Sequence, residues 1–210
     1  RDALAEVAAA NPGMAWEVLD VADPAAITAF ADKVIADHPA LNVVISNAGI
    51  MQAETLSSGV FDMGVVDATI TINLLGTIRL AAAFLPHLLT KPAASFVTVS
   101  SGLALVPLAA TPTYCATKAA IHSWTQSLRT QLAGTSVEVI EWAPPAVATG
   151  LMPGHAENPN SMPLADFTAE SLALFEAGND EVQVQRVKFL SEAERRGDYA
   201  SVYGVLNAQH

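Results

Sequence analysis

Cysteine and positive charge are both scarce in this sequence, and each scarcity excludes a class of protein. One cysteine among 210 residues rules out a disulfide within the chain and is typical of the reducing cytoplasm, where we expect the protein to act. Ten Lys and Arg against 21 Asp and Glu give a formal net charge of −11. We therefore expect neither nucleic acid nor an anionic membrane as a partner, because both are bound through clustered cations.

The sequence also lacks metal-binding spacings and a long uninterrupted apolar run. The stretch 74–89 is interrupted by Arg79, Pro86 and His87, and it is shorter than the ~20 apolar residues of a membrane-spanning helix. The histidines and the cysteine follow no spacing typical of metal ligands. They are His38, His87, His122, His155, His210 and Cys115. We expect no membrane span and no metal site.

Hydrophobic residues are abundant, and their spacing alternates between two periods. A content of 51% hydrophobic and 15% charged residues excludes intrinsic disorder and fits a single domain over 1–210. Strands are predicted over 14–19, 41–45, 95–99, 137–142 and 181–184, and helices over 24–37, 61–89, 114–132, 163–177 and from 191 onward. Strands that alternate with long helices pair in parallel. We predict an α/β fold with a doubly wound parallel sheet of the Rossmann type, in which the β-branched run 43–45 is buried on both faces.

Polar residues follow the predicted strands at the edge of the sheet where such folds bind ligands. The positions just past a strand end are Asp20, Asn47, Ser101 and Thr149. The segment 150–163 has no periodicity, and we interpret it as a substrate loop with the helix 163–177 as its lid.

Tyr114 and Lys118 are four residues apart near the start of a predicted helix, so both side chains emerge on one face. A tyrosine is a poor base at neutral pH, and a nearby ammonium group favours the phenolate. We therefore expect Lys118 to lower the pKa of Tyr114. Ser101 ends the preceding strand, from which its hydroxyl is able to bind a substrate oxygen. The three residues predict a proton donor and acceptor beside a hydrogen-bonding hydroxyl.

Several motifs follow one another in a fixed order along the chain. They are Asp20-Val21, Asn47-Ala48-Gly49, Asn73, Ser100-Ser101, Tyr114-Cys115-Ala116-Thr117-Lys118 and Pro145-Ala146-Val147-Ala148-Thr149. In this order and on these predicted elements, the chain resembles the short-chain dehydrogenase/reductase family of the classical type. Residues 114–123, 187–190 and 197–199 are similar to the DltE-type branch of that family.

The resemblance implies an oxidoreductase that uses NAD or NADP and transfers a hydride between nicotinamide and a small alcohol or carbonyl compound. In that role Tyr114 is the general acid/base, Lys118 lowers its pKa and binds the nicotinamide ribose, and Ser101 orients the substrate oxygen. Asn73 holds a water that links Lys118 to solvent. The residues implied in cofactor binding are Asp20, Val21, Asn47, Ala48, Gly49, Tyr114, Lys118, Val147 and Thr149. The resemblance also implies a homodimer or homotetramer assembled through the helices 61–89 and 114–132.

A glycine-rich turn of the form G-x-x-x-G-x-G, which binds the cofactor pyrophosphate in this family, does not occur in the sequence. The predicted strand 14–19 matches the family's third strand. We therefore expect that the strand, glycine turn, helix and strand that open the family's fold are missing from this chain. Without them the strand 14–19 has no neighbour, and residues 43–45 expose an unpaired edge.

Two other functions stay open on the sequence alone. The missing glycine turn favours a non-catalytic or cofactor-deficient binding protein on the same scaffold. Related epimerases and dehydratases share the Tyr–Lys pair, although the short tail after Thr149 argues against them because they need a larger substrate region. The presence of Asn73, Ser101, Tyr114 and Lys118 together argues against a loss of activity.

Overall fold

The computed structural model describes residues 2–208, and within them four strands form one parallel sheet in the order β1–β2–β3–β4. The strands are β1 (Val43–Ser46), β2 (Ala94–Val99), β3 (Val137–Trp142) and β4 (Glu181–Val182). In the register of the sheet, Val44 lies opposite Phe96, and Phe96 lies opposite Val139. This architecture confirms the predicted α/β class with a parallel, Rossmann-type sheet.

Helices connect and cover the strands. They are α1 (Asp2–Ala10), α2 (Pro24–Asp37), α3 (Met63–Thr69), α4 (Gly76–Leu88), α5 (Pro112–Gln131), α6 (Leu164–Glu176), α7 (Lys188–Ser191), α8 (Ala193–Arg196) and α9 (Tyr199–Asn207). The bounds of α2 follow from its sequence, because Pro24 suits the first turn and the Asp23 carboxylate accepts hydrogen bonds from the next backbone N–H groups.

Two neighbouring residues of β3 show how the sheet is covered on both faces. Glu141 contacts His122 of α5, whereas the Trp142 ring stacks on Phe167 of α6 with ring centroids 5.3 Å apart. Adjacent side chains of a strand point to opposite faces. Helices α5 and α6 therefore lie on opposite sides of β3, and α5 faces the polar side chain.

The prediction of a strand over 14–19 is wrong. Residues 14–20 have no strand pairing, and the side chains of Met14, Trp16 and Val18 are exposed. The alternating pattern favours a strand only where a neighbouring strand supplies the hydrogen bonds. Within the described residues β1 pairs with β2 alone, so this segment lies unpaired on the surface.

Strand β1 forms an open edge of the sheet, as the sequence predicts, but it is not buried on both faces. Val43 is 46% exposed and Ile45 is 49% exposed, while Ser46 is buried. The side chains of a strand alternate between two faces, and one face of β1 has little cover in residues 2–208. The continuous β-branched run is therefore misleading at this strand.

The long helix predicted over 61–89 is present as α3 and α4, joined by a π-helical turn at Ile70–Leu75. A π-helical turn contains one residue more than an α-helical turn, and such turns occur often at functional sites. Just after it, Gly76 allows close packing, since a Cβ there would lie 3.3 Å from the Val21 side chain.

By length and composition alone, Met63–Leu88 could cross a membrane, with 26 residues and a mean hydropathy of 1.6. This helix begins 11 residues before the apolar stretch 74–89 that the sequence analysis considered. One such helix is weak evidence for a span, because core helices of globular domains have the same composition. Leu80 and Phe84 pack against α2, and Leu88 packs against β2, so we assign the helix to the core.

The C-terminal part of the chain packs onto the carboxyl ends of β2 and β3. The segment after Thr149 consists of turns, as predicted, and ends in α6. The predicted strand 181–184 is shortened to β4, and the final helix is divided into α7, α8 and α9. Val106 after β2 is buried against Ala193 and Val202 of this tail.

Candidate active site

Helix α5 directs three side chains to the sheet, one turn apart. Tyr114 faces Ser101, Lys118 reaches the backbone of Val99, and His122 contacts β3. This spacing of four residues places side chains in one row on a helix. The row therefore faces the end of β2.

The start of α5 is held by an acidic residue from the loop after β1. The Glu54 carboxylate accepts hydrogen bonds from the Thr113 backbone N–H at 2.9 Å and from the Thr113 hydroxyl at 2.8 Å. A carboxylate at this position satisfies an unpaired N–H group and complements the helix dipole. Glu54 therefore fixes the first turn of α5 beside Tyr114, and the sequence analysis missed this role.

Ser101 lies at the end of β2 and begins a short turn. Its hydroxyl accepts a hydrogen bond from the Leu103 N–H at 3.1 Å, and it lies close enough to the Tyr114 hydroxyl to act on the pKa of that group. Both residues are buried. The two hydroxyls therefore share one side of the sheet, which is the juxtaposition that the sequence predicts.

Burial raises the pKa of Tyr114 to about 12, whereas the hydrogen bond from Ser101 acts in the opposite direction. This outcome contradicts the expectation that Lys118 lowers the pKa. The Lys118 ammonium lies over the face of the Tyr114 ring, 5.6 Å from its centroid. The loss of hydration destabilises the buried phenolate more than the neighbouring groups stabilise it. Tyr114 is therefore protonated at neutral pH.

Lys118 is buried, and its Nζ donates a hydrogen bond to the Val99 carbonyl oxygen at 2.7 Å. Burial lowers the pKa of Lys118 to about 8, because the ammonium form loses its hydration. The side chain thus stays largely charged at neutral pH while it is close to losing a proton. A group with such a pKa is suited to proton exchange.

Asn73 lies in the π-helical turn and joins the loop after β1 to α5. Its Oδ1 accepts the Ile50 N–H at 2.8 Å, and its Nδ2 donates to the Ile50 carbonyl at 2.9 Å and to the Thr117 hydroxyl at 3.2 Å. The buried amide therefore joins the loop after β1 to α5, the helix that carries Lys118, and Oδ1 is able to accept one more hydrogen bond. The site places Asn73 beside Lys118, as predicted.

The turn after β1 comes close to these groups. A Cβ added at Gly49 would lie 3.3 Å from Asn73 Oδ1 and 3.7 Å from Lys118 Nζ. Asn47 and Ala48 precede it and are exposed. The turn therefore leaves a narrow space beside the lysine, and a side chain at Gly49 would fill it.

The other predicted cofactor residues lie around this centre. The Asp20 carboxylate accepts the Ala22 N–H at 2.9 Å, and Val21 packs at Gly76. The Val147 side chain is buried in the core and pairs with Met162, whereas Thr149 is partly exposed. The structure thus brings Asn73, Ser101, Tyr114 and Lys118 together with Gly49, and assigns the Val147 side chain to packing.

A buried acidic residue near this centre was not predicted. Glu141 on β3 is 2% exposed, and it bonds His122 and the Ser100 hydroxyl. Its signal in the sequence is its position, since it shares the inward face of β3 with Val137 and Val139. A charged residue in such a series needs a partner. His122, interpreted from the sequence as a packing residue, is that partner.

Within residues 2–208, no cluster of three or more His, Cys, Asp or Glu is arranged to hold a metal ion. His210, one of the histidines considered above, lies outside the described residues. The centre instead combines a protonated phenol, a hydroxyl and a buried ammonium at the end of β2. Such a set is able to donate a proton to an oxygen and to stabilise charge that develops on it.

Comparisons of the sequence identify related proteins. The sequence model described as short chain dehydrogenase matches residues 1–160. The uncharacterized oxidoreductase DltE of Bacillus subtilis (strain 168) is 38% identical over 210 residues, which cover 98% of this chain and 83% of that protein. The probable oxidoreductase EphD of Mycobacterium tuberculosis is 33% identical over 72% of this chain, which spans 26% of that longer protein.

Solved structures show the same fold. A short chain dehydrogenase from Burkholderia cenocepacia J2315 in complex with NADP superposes with a TM-score of 0.79 at 23% identity, over 91% of this chain and 80% of that chain. A short-chain dehydrogenase from Streptomyces avermitilis gives 0.77 at 24% identity, over 96% and 82%. The sequence matches extend these likenesses from the fold to the family: the chain belongs to the short chain dehydrogenase family and is similar to DltE.

Proposed function

We propose that the protein is an NAD(P)-dependent oxidoreductase that transfers a hydride between nicotinamide and a small alcohol or carbonyl compound, with Tyr114 as the general acid/base. The observation that carries this proposal is the position of the buried Tyr114 phenol at the Ser101 hydroxyl, with the Lys118 ammonium over the Tyr114 ring. Both hydroxyls lie at the carboxyl end of a parallel strand, the region where α/β sheets bind ligands. The cytoplasm is the proposed location.

The residues beside Lys118 fit the nicotinamide half of the cofactor. Gly49 keeps the space next to Lys118 Nζ free of a side chain, and the ammonium is a donor for ribose hydroxyls. Asp20, Val21, Asn47 and Ala48 are proposed to border the adenine side, and the backbone of Val147 with Thr149 the carboxamide. When bound, the cofactor supplies or accepts the hydride. The NADP in the Burkholderia cenocepacia complex supports NADP as one form.

The protonation states suit the reducing direction. Tyr114, with its pKa raised to about 12, holds the proton that the substrate oxygen needs as it becomes an alcohol. Ser101 donates a second hydrogen bond to that oxygen and stabilises its developing charge. Asn73 is proposed to hold the water through which Lys118 exchanges protons with solvent.

The surroundings of Tyr114 favour a substrate with an apolar group next to its carbonyl. Tyr114 and Met51 are buried in one cluster, against which Leu103, Leu108 and Met152 pack. Apolar walls around a few polar groups are typical of small-molecule sites. We expect Met152→Ala to raise the KM for an apolar ketone by about tenfold, as for the loss of methylene contacts, and to leave the KM for a short polar carbonyl unchanged.

The decisive experiment is a turnover assay of the full-length protein with NADH and with NADPH against a panel of ketones and aldehydes. Tyr114→Phe is expected to lower kcat by about 10²–10⁴-fold, the contribution of a general acid, with little change in the cofactor dissociation constant. Tyr203→Phe, at a half-exposed position on α9, is the matched control and should be fully active.

Turnover without dependence on Tyr114 would contradict the proposed mechanism. Ligand binding without turnover would favour the non-catalytic binding protein. A reaction that leaves the redox state of the substrate unchanged would favour an epimerase or dehydratase.

We also propose a homodimer or homotetramer formed through the α3–α4 and α5 helices. Met63, Ile70 and Leu75 are exposed apolar residues of the α3–α4 segment, which supports an interface there. Sedimentation at micromolar concentration is expected to show a dimer or tetramer, and a monomer alone would contradict the proposal.

A further inference from the structure

Glu141 is a carboxylate in the interior of the sheet, where an aliphatic side chain would satisfy packing. It is 2% exposed and lies on the inward face of β3. Burial of a carboxylate is costly unless hydrogen bonds and an opposite charge compensate for it. Both of its oxygens lie close to His122 Nδ1, at 2.9 and 2.8 Å, and one of them also accepts the Ser100 hydroxyl. Both oxygens of the carboxylate therefore have a hydrogen-bond partner.

The two partners of Glu141 are direct neighbours of the candidate active site. Ser100 immediately precedes Ser101, and His122 lies one turn beyond Lys118 on α5. The Ser100 N–H also bonds the Trp142 carbonyl at 2.9 Å. Glu141 thus connects α5 to the backbone that carries the Ser101 hydroxyl, at a distance of one residue.

His122 contacts the carboxylate through a fixed nitrogen. A carboxylate only accepts hydrogen bonds, so Nδ1 carries the proton in this contact. Nε2 lies 3.2 Å from the Gln126 side-chain nitrogen. The charged groups that act on the imidazole are Glu141 on β3, Glu181 on β4 and Arg129 on α5, and the net effect raises the pKa of His122. The imidazolium form is thereby favoured next to Glu141.

A neutral contact between α5 and β2 provides a comparison. The Thr98 hydroxyl on β2 lies 2.9 Å from the Thr125 hydroxyl on α5, and both are buried. This contact therefore joins α5 to β2, two residues before Ser100, without an ionisable group. A structural connection alone does not require the acid and the imidazole that lie next to Ser101.

We propose that Glu141, held by His122, is a positioning residue for Ser101: it fixes the Ser100 hydroxyl and so the strand end that directs the Ser101 hydroxyl to the substrate oxygen. This inference rests on the proposed function of Ser101 and Tyr114. Glu141 acts through Ser100 and does not touch the reacting atoms. Its contribution is orientation, to which catalytic rates are sensitive.

A double-mutant cycle on turnover tests this role in the full-length protein. Glu141→Gln is expected to lower kcat about tenfold, a typical effect of a displacement well below 1 Å, without changing the cofactor dissociation constant. In the Ser101→Ala background, the same substitution is expected to change kcat by less than about twofold, because the hydroxyl that it positions is already absent. Equal losses in both backgrounds, or no loss in either, would overturn the positioning role.

Two further variants separate positioning from stability. Ser100→Ala retains the Glu141–His122 pair and removes the link to the strand end, so it should reproduce the loss in kcat even if Glu141→Gln folds poorly. Thr125→Val removes the neutral contact and is the matched control, with reduced thermal stability and unchanged kcat. If Thr125→Val lowered kcat as much as Ser100→Ala, any loosening of α5 would explain the effect and the proposal would fail.

NMR titration of the His122 imidazole provides a readout independent of turnover. The midpoint is expected to lie above the ordinary value of 6.5 in the wild type and in Ser100→Ala, and to fall in Glu141→Gln. An unchanged midpoint in Glu141→Gln would show that the pair is absent and would overturn the proposal. Absence of any nicotinamide turnover in the wild type would instead overturn the proposed function, and the positioning role with it, even if the titration showed the pair.

Discussion

The centre around Lys118 and the open edge at β1 reverse the usual distribution of polar and apolar side chains. At the centre, Asn73, Ser101 and Lys118 are buried and hydrogen-bonded. At the edge, the β-branched residues Val43 and Ile45 are about half exposed. Burial in this domain therefore follows the availability of partners: polar groups are buried where bonds satisfy them, and apolar groups are exposed where the sheet has no neighbour.

The largest effect that this comparison predicts is on turnover at the centre. Lys118→Met is expected to lower kcat by about 10²–10⁴-fold and to weaken cofactor binding, which distinguishes it from Tyr114→Phe. The fold should be as stable as the wild type or more so, because the variant no longer buries a charge. Steady-state kinetics and thermal unfolding provide both measurements.

Lys33→Met is the control for this variant. Lys33 lies on α2 and pairs with Glu17 and Asp37 in an exposed position, so its loss should leave kcat unchanged. A comparable loss of turnover in the two variants would contradict a special role for the buried lysine.

The second effect is on stability. Asn73→Ala removes the bonds to both backbone groups of Ile50 and to Thr117, at a cost of about 1–3 kcal/mol for each buried group left without a partner. Urea unfolding measures this loss. The exposed Asn47→Ala is the matched control, with an expected change within about 0.5 kcal/mol, and similar losses at both sites would refute the distinction.

The third effect is a pH dependence. Lys118 loses its proton near pH 8 in the fold and near 10.5 in the unfolded chain, so its contribution makes the unfolding free energy rise over that interval. Tyr114 keeps its proton to about pH 12 in the fold but releases it near 10 when unfolded, so stability falls above pH 10. Denaturant midpoints of wild type minus Lys118→Met should show the rise, and wild type minus Tyr114→Phe the fall. If neither difference in denaturant midpoint changed with pH, both side chains would be exposed to water.

The smallest effect is expected at the edge. Val43 is 46% exposed and Val97 on β2 is 2% exposed, and Val→Thr is nearly isosteric. Val97→Thr should cost about 1–3 kcal/mol for the buried hydroxyl, whereas Val43→Thr should stay within about 0.5 kcal/mol and reduce self-association at the open edge. Thermal unfolding and light scattering test the pair, and equal destabilisation would show that β1 is covered in solution.

The elements with a complete local signal are those that the sequence predicts well. Strand β3 and helix α2 have the predicted bounds, because β3 alternates with period two and Pro24 follows a capping Asp23. The segment 14–19 has the same local signal as a strand but no neighbour. Strand pairing depends on the tertiary structure, which a local sequence pattern does not specify.

The candidate site divides in the same way. Motif order predicts the grouping of Ser101, Tyr114 and Lys118, since the ends of parallel strands meet at one edge. The direction of the Tyr114 pKa was predicted wrongly, because burial and the position of the ammonium depend on packing that spacing alone does not specify. Glu141 was missed although its inward register was visible in the sequence.

The π-helical turn at Ile70–Leu75 also sets the register of every residue that follows it in the helix. If the same residues were wound as a regular α-helix, every later side chain would rotate by about 100° and shift by about 1.5 Å relative to those before the turn. The contacts of Leu80 and Phe84 with α2 and those of Asn73 with the Ile50 backbone would then require different rotations of the same helix about its axis. The extra residue in the π-helical turn allows both sets of contacts to form.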